Sequence, residues 1–130
     1  MHKEVVQQVI LKVFSVLIIL GGLVRLVANR QTFQSFMIEE LWVSHPYFIY
    51  TYRILGAFVV FIGIMMFVIS LDPVSYRKIL RVCGYCFLFI SIVMLVAGCS
   101  LHMSFVHYAF DFIFCFFIAV ICFSFAKNRT

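Results

Sequence analysis

The stretch SFVHYAFDFIFCFFIAVICFSF, Ser104 to Phe125, is long and apolar enough to cross a bilayer, yet it contains one carboxylate, Asp111. A helix needs about 20 predominantly apolar residues to span the hydrocarbon core. An ionisable side chain at that depth costs roughly 2.5–3.5 kcal/mol on insertion scales, so it usually faces protein and has a partner there. We therefore predict a membrane helix whose one polar side is turned away from lipid.

The composition of the whole chain is typical of an integral membrane protein. Of its 130 residues, 65% are hydrophobic and 12% are charged, whereas soluble domains are about half apolar and about a quarter charged. The net charge of +5 is spread over several short segments, which predicts a membrane topology and no nucleic-acid binding. Since no linker or low-complexity segment divides the chain, we expect a single domain over residues 1–130.

Four apolar spans are predicted, over residues 5–28, 47–71, 79–101 and 104–125. The first is interpreted as a retained helix and not a signal peptide, because Lys12 interrupts its start and Arg25 lies near its end. The link between the last two is short, which predicts an antiparallel hairpin. The predicted fold class is an all-α, four-transmembrane-helix bundle.

The segment 32–44 between the first two spans has apolar residues at helical spacing with polar residues between them. We predict a short amphipathic helix that lies on the outer membrane surface or caps the bundle, with Thr32 as its N-cap. Trp42 and Tyr47 are expected to anchor this segment at the membrane interface.

Polar and small residues recur on one face of each span, which predicts that these faces meet protein and the others meet lipid. The predicted inward faces are Gln8, Lys12, Ser15, Ile19, Gly22 and Arg25; Arg53, Gly56, Ala57, Val60 and Gly63; Gly84, Ser91 and Gly98; and Ser104, His107, Asp111, Cys115 and Cys122.

Lysine and arginine are concentrated on one side of the predicted membrane. That side carries Lys3, Arg77, Lys78, Arg81, Lys127 and Arg129. The opposite side carries Arg30, with Arg25 near it. The positive-inside rule therefore predicts that both termini are cytoplasmic.

This topology predicts a polar cluster near the outer leaflet, formed by Arg25, Arg53, His102, His107 and Asp111. We expect Arg53 and Asp111 to pair, with His107 beside them. Two interpretations stay open: an ion pair that fixes helix register, or the floor of an outward-facing polar pocket. Two arginines against one carboxylate leave excess positive charge, so a pocket would favour an anionic headgroup or small acid. His107 and Asp111 could hold a metal ion together with His102 or His45. A lone histidine–aspartate pair is weak evidence for this, so no metal site is predicted.

Cys83 and Cys86 form a C-x-x-C pattern at the cytoplasmic start of the third span. Thiols on that side are kept reduced, and no thioredoxin-like βαβ unit surrounds them. Two small apolar side chains are therefore a better interpretation than a redox pair, and a disulfide framework is not predicted from the five cysteines.

The run YRILGAFVVFIG (Tyr52 to Gly63), the outer segment, the basic loop and the acid in the last span together resemble the small bacterial four-helix membrane proteins of the DoxX-like group and an allied family of unknown function. In those proteins an arginine followed by a glycine-containing run begins the second helix, which Arg53 and Gly56 match. The resemblance implies a four-helix bundle in a bacterial inner membrane and no established reaction.

The chain lacks the sequence markers of an enzyme, such as a nucleophile elbow, a phosphate loop or a metal set. The sequence therefore predicts a non-catalytic membrane protein, with no catalytic residue and no cofactor. We expect it to bind a lipid-like or small anionic ligand, or a partner protein, through the outer pocket. The alternative is an oligomeric transporter or channel subunit, and a third possibility is an accessory subunit of a membrane redox enzyme. The expected partners are membrane lipid and a second protein or copy of the chain.

Overall fold

The computed structural model describes residues 2–127, and within this range it is all-α with no strand. Arg129, which entered the topology count, lies outside the described residues. The helices are α1 (His2–Leu26), α2 (Arg30–Ser35), α3 (Pro46–Leu71), α4 (Arg77–Ser100) and α5 (Phe105–Lys127), and a single 3-10 turn covers Glu39–Leu41.

Four of these helices, α1, α3, α4 and α5, have the length and composition to cross a membrane. The shortest has 23 residues and the longest 26, so each is about 35–39 Å long against a hydrocarbon core of about 30 Å. Their ends fall within three residues of the predicted bounds. The all-α class and a multi-pass membrane protein are thereby confirmed, and the four helices are consistent with the predicted bundle.

The segment between α1 and α3 differs from its prediction as one helix over 32–44. The chain leaves the helix at Met37, whose φ of 57° is left-handed. The Met37 N–H donates to the Gln34 carbonyl at 3.0 Å. The Ile38 N–H donates to the Phe33 carbonyl, also at 3.0 Å. This pair of bonds is a Schellman closure, and it ends α2 although the apolar spacing continues.

The predicted N-cap at Thr32 is wrong by three residues, because Asn29 caps α2. The Thr32 N–H donates to Asn29 Oδ1 at 3.1 Å, and the Asn29 N–H donates to Thr32 Oγ1 at 3.2 Å. This reciprocal arrangement is a capping box, which satisfies two backbone donors that one threonine could not.

The chain forms two compact units, the first ending at Leu71 and the second beginning at Asp72. In the first unit α1 and α3 are antiparallel, and Gln8 near the start of α1 donates to the carbonyl of Leu71 at the end of α3 at 3.2 Å. The second unit is the predicted α4–α5 hairpin. A single domain over residues 1–130 stays a prediction.

Glycines let α1 and α3 approach at backbone distance. A Cβ built on Gly22 would lie 2.7 Å from the Val60 backbone nitrogen, and one on Gly63 would lie 2.9 Å from that of Ile19. A real Cβ atom does not come within 3.0 Å of another heavy atom to which it is not bonded, so neither position has room for a side chain. The helices are therefore held by close van der Waals packing of small residues, as is usual between membrane helices.

The inward face of α1 agrees with the predicted stripe at its centre. Ser15 and Gly22 are buried, as are Leu11 and Ile18 beside them. The Ser15 hydroxyl donates to the Leu11 carbonyl within the same helix, which satisfies a buried polar group without a partner on another helix. Lys12 is half-buried.

The second unit also buries its predicted small residues. Gly84, Ser91 and Gly98 are all buried on α4. A Cβ on Gly98 would lie 2.6 Å from the Tyr108 ring, and one on Gly84 would lie 3.1 Å from the Phe123 ring. Aromatic rings of α5 therefore fill the space that the glycines of α4 leave.

Candidate functional site

The connecting segment, residues 27–45, is held together by polar contacts around one carboxylate. Arg30 donates from Nε and Nη2 to Glu39 Oε1, at 3.1 and 2.9 Å, and Gln34 Nε2 donates to the same oxygen at 2.9 Å. The hydrogen bond from Gln34, followed by that from Arg30, lowers the pKa of Glu39. These contacts join α2 to the 3-10 turn.

Four aromatic rings fix the connecting segment to the first two turns of α3, and we call them the aromatic cap: Phe33, Trp42, Phe48 and Tyr52. Phe33 is 4% exposed, and its ring centroid lies 5.1 Å from that of Trp42 and 5.3 Å from that of Tyr52. The Phe33–Trp42 pair is edge-to-face, and aromatic pairs of that geometry contribute about 0.5–1.5 kcal/mol each beyond their burial. Trp42, predicted as an interface anchor, is half-buried in this cap.

The start of α3 is set by His45 and Pro46. His45 Nδ1 accepts the Tyr47 N–H at 3.1 Å, and proline at the first helical position needs no hydrogen-bond acceptor. Tyr47 is 70% exposed, and its ring lies 6.4 Å from that of Tyr50. Its role as an interface anchor stays a prediction.

Beside this helix start, the first unit has a groove of about 460 Å³. One face of α3 and a single residue of α1 line it: Leu26, Pro46, Ile49, Tyr50, Arg53, Ile54 and Ala57. The volume is within the range of about 300–1,000 Å³ that is common for ligand pockets. Most of the lining is apolar, so the groove suits an apolar ligand surface with one anionic group.

Arg53 is the charged group of this groove, and its side chain is exposed. Within the described part of the first unit, residues 2–71, it makes no hydrogen bond or ion pair. A guanidinium offers five N–H donors in a planar fork that matches carboxylate and phosphate oxygens. This group can therefore bind an anion without breaking a contact inside its own unit.

Arg25, which was predicted to belong to the same cluster, does not line the groove. It is half-buried, and its Nη1 donates to the Gly21 carbonyl at 3.3 Å. A Cβ on Gly56 would lie 2.8 Å from the Arg25 Cβ. Arg25 is therefore packed at the α1–α3 contact, one turn of α3 away from Arg53.

The remaining predicted site residues are in the second unit. His107 and Asp111 are half-buried one turn apart on α5. His102 follows the end of α4 in a left-handed conformation, with φ of 52°, and is exposed. The predicted pair of Arg53 and Asp111 would join the two units, and it stays a prediction.

The five cysteines all lie within the described residues, and none of them forms a disulfide bond. Cys83 is half-buried and Cys86 exposed at the start of α4, whereas Cys115 and Cys122 are buried in α5. Cys99 Sγ lies 3.7 Å from the Tyr108 hydroxyl. Among residues 2–127, no group of three or more His, Cys, Asp or Glu side chains is arranged to hold a metal ion.

Arg53 could be predicted from the sequence as a site residue, whereas the apolar walls of the groove were not predicted. The lining positions Pro46, Tyr50, Arg53 and Ala57 lie four, three and four residues apart, which is the spacing of one helix face. This spacing was the sequence signal for the groove lining, although a helix face that meets lipid has the same spacing.

In comparisons with known proteins, no family model, curated protein or solved structure matches this chain.

Proposed function

We propose that this protein is a non-catalytic membrane module that binds a lipid-like or small anionic ligand in the groove beside Arg53. The observation that carries the proposal is the position of Arg53 in an apolar groove, with no hydrogen bond or ion pair inside the described part of its unit. A charge that lies beside apolar side chains and has no partner is expensive in a membrane even when it is exposed at the protein surface, so a ligand that supplies an anion would be bound favourably.

The depth of Arg53 supports an anionic group at the membrane interface. Arg53 is seven residues after Pro46, which is about 10 Å along the axis of α3. If α3 is centred in the bilayer, its first residues protrude by about 4–5 Å, and the Arg53 backbone lies about 6 Å inside the hydrocarbon. An arginine side chain can extend that far toward the headgroups.

The proposal places the groove on the outer face of a bacterial inner membrane, with both termini cytoplasmic. The distribution of lysine and arginine supports this orientation. A green fluorescent protein fused after Lys127 would then fluoresce, and a reporter inserted at Gln34 would have to be active outside the cytoplasm. The opposite pattern would reverse the orientation.

The experiment that tests the function is native mass spectrometry of the protein from gently solubilised membranes. We expect the wild type to carry a bound anionic molecule that Arg53→Gln loses. Arg53→Lys is the matched control, because it keeps the charge and changes the number and geometry of the donors. The proposal is wrong if Arg53→Gln retains the same bound species as the wild type.

The same spectra discriminate the other candidate functions. An oligomer that dissociates in Arg53→Gln would favour the transporter or channel subunit, since four helices alone enclose little space for a solute pathway. A bound quinone or haem would favour an accessory subunit of a redox enzyme. Either result would replace the present proposal.

A further inference from the structure

We infer that the ligand of this groove is a net-anionic phospholipid, held with its phosphate at Arg53 and one acyl chain along the apolar wall that ends at Ala57. This inference rests on the proposed function and names the class of its ligand. A phospholipid has both a charged group and an acyl chain, whereas a small free anion has only the charge.

The shape and lining of the groove favour a chain. Ile49, Ile54 and Leu26 supply branched aliphatic walls, and Ala57 leaves room one turn beyond Arg53. A small anion would contact only the guanidinium and would leave these walls unused. The acyl chain of a membrane lipid is already out of water, so it gains from these walls through close van der Waals contact and not through the hydrophobic effect.

The charge of the groove favours an anionic headgroup over a zwitterionic one. Arg53 is the charged residue among the described residues that line it, and the lining includes no carboxylate. The ammonium of a zwitterionic headgroup would therefore lie close to a guanidinium with no local counter-charge. A phosphatidylglycerol headgroup has only the phosphate charge and avoids this repulsion.

Tyr50 adds a second feature that suits the headgroup region. It lines the groove one turn before Arg53, on the side of the helix start, and its ring is 62% exposed. Tyrosine places an apolar ring at the acyl chains and a hydroxyl at the polar layer. The order along α3 is thus tyrosine, arginine and alanine, which matches the order headgroup, phosphate and chain.

The test is a lipid competition read by native mass spectrometry. The full-length protein is reconstituted with equal amounts of dioleoyl phosphatidylglycerol and dioleoyl phosphatidylcholine, which have identical chains. We expect the wild type to retain one phosphatidylglycerol molecule preferentially, and Arg53→Gln to lose that preference by about tenfold. Equal retention of the two lipids by the wild type would overturn the inference.

Two further variants locate the lipid in the groove. Ala57→Trp fills the chain position, whereas Ile64→Trp introduces the same ring on an exposed part of α3 outside the lining. We expect Ala57→Trp to lose the same single lipid as Arg53→Gln, with no further loss in the double variant, and Ile64→Trp to keep it. Additive losses would mean that the two positions act on different lipids, and the inference would be wrong. The thermal stability of all variants is measured in parallel, so that unfolding is not mistaken for lost binding.

A third arm separates this inference from the proposed function. Inorganic phosphate and glycerol 3-phosphate are added as competitors that have the charge and no chain. If either displaces phosphatidylglycerol at equal concentration, the groove is a small-anion site, so the inference fails and the proposed function stands. If no anion of any kind depends on Arg53, both fail.

Discussion

Arg25 and Arg53 have the same side chain but different environments. Arg25 of α1 packs against α3 at Gly56, which is one turn of α3 away from Arg53. Arg25 is half-buried and donates to a backbone carbonyl of its own helix, whereas Arg53 is exposed in the groove. Both fall on faces with small residues, so the sequence grouped them in one cluster. Which of them faces a helix contact depends on the angle at which α1 crosses α3, and spacing along one helix does not determine that angle.

The left-handed backbone conformation of His102 is explained by the hydrogen bonds that end α4, and no ligand is needed to account for it. The His102 N–H donates to the Cys99 carbonyl at 3.2 Å, and the Met103 N–H donates to the Gly98 carbonyl at 3.0 Å. These bonds close α4 with His102 at the position where glycine is preferred, because a Cβ is strained at positive φ.

We therefore predict that His102→Gly raises the free energy of unfolding by up to about 1 kcal/mol. His102→Ala is the control, since it keeps the Cβ and should give no such gain. Thermal unfolding in detergent, followed by circular dichroism, measures both. A clear loss of stability in His102→Gly would instead mean that the imidazole makes contacts that matter to the fold.

At the scale of the elements, the contact between α1 and α3 depends on one glycine of an adjacent pair. A Cβ on Gly22 would meet the Gly56 carbonyl oxygen at 2.8 Å as well as Val60, whereas one on Gly21 would meet only the end of the Arg25 side chain at 3.5 Å. The backbone contact cannot be relieved by a rotamer change, and the side-chain contact can.

We predict that Gly22→Ala lowers the free energy of unfolding by about 1–3 kcal/mol, as overpacking does elsewhere. Gly21→Ala adds the same methyl group at the neighbouring position and should be neutral or slightly stabilising, since alanine favours helix. Unfolding of the two variants under the same detergent conditions gives the comparison. Equal effects would show that helix propensity, and not the α1–α3 contact, determines the result.

The connecting segment should respond to acid through Glu39. Its pKa is lowered by Gln34 and Arg30, below the usual value of 4.5. The contribution of a carboxylate with a lowered pKa is present above that usual value and is lost as the pH falls through the lowered one. We predict a change in the fluorescence of Trp42, the chain's one tryptophan, as the pH falls below about 4.5.

Glu39→Gln cannot lose a charge on acidification, so its Trp42 fluorescence should change much less over the same pH range. The neutral variant should also resemble the acidified wild type at pH 7. Identical titrations of the two proteins would assign the acid response to another group. Because Glu39 is exposed, high salt should weaken the effect in the wild type.

The four long helices could be predicted because each apolar run exceeds the length that a bilayer requires. The break at Met37 could not, because methionine is a good helix former and the left-handed turn comes from backbone hydrogen bonds. The groove could not be predicted either. Ile54 and Ala57 are apolar residues that could equally face lipid, protein or a cavity, and the sequence does not show that Leu26 of α1 lines the same space.

At the scale of the whole molecule, basic residues collect at one end of the second unit. Arg77, Lys78 and Arg81 are in the first turns of α4, and Lys127 ends α5, which returns antiparallel to the same end. Such residues at helix ends fix orientation by remaining on the cytoplasmic side. Their position supports the proposed cytoplasmic location of this end of the second unit.

The predicted pair of Arg53 and Asp111 is also a question for the whole molecule, since it would connect the two units. If Arg53 and Asp111 form an ion pair that sets helix register, the fold depends on the Asp111 carboxylate. If Arg53 binds lipid, the fold does not depend on that carboxylate through Arg53. Asp111→Asn should lower thermal stability if the pair exists, and should leave it unchanged while lipid binding persists if Arg53 serves the groove alone.

If Arg53 binds an anionic ligand in the groove, native mass spectra of the wild type, Arg53→Lys and Arg53→Gln will differ in one bound species. We expect one bound anionic molecule in the wild type and in Arg53→Lys, and none in Arg53→Gln. The same bound molecule in all three proteins, at equal occupancy, would contradict this expectation.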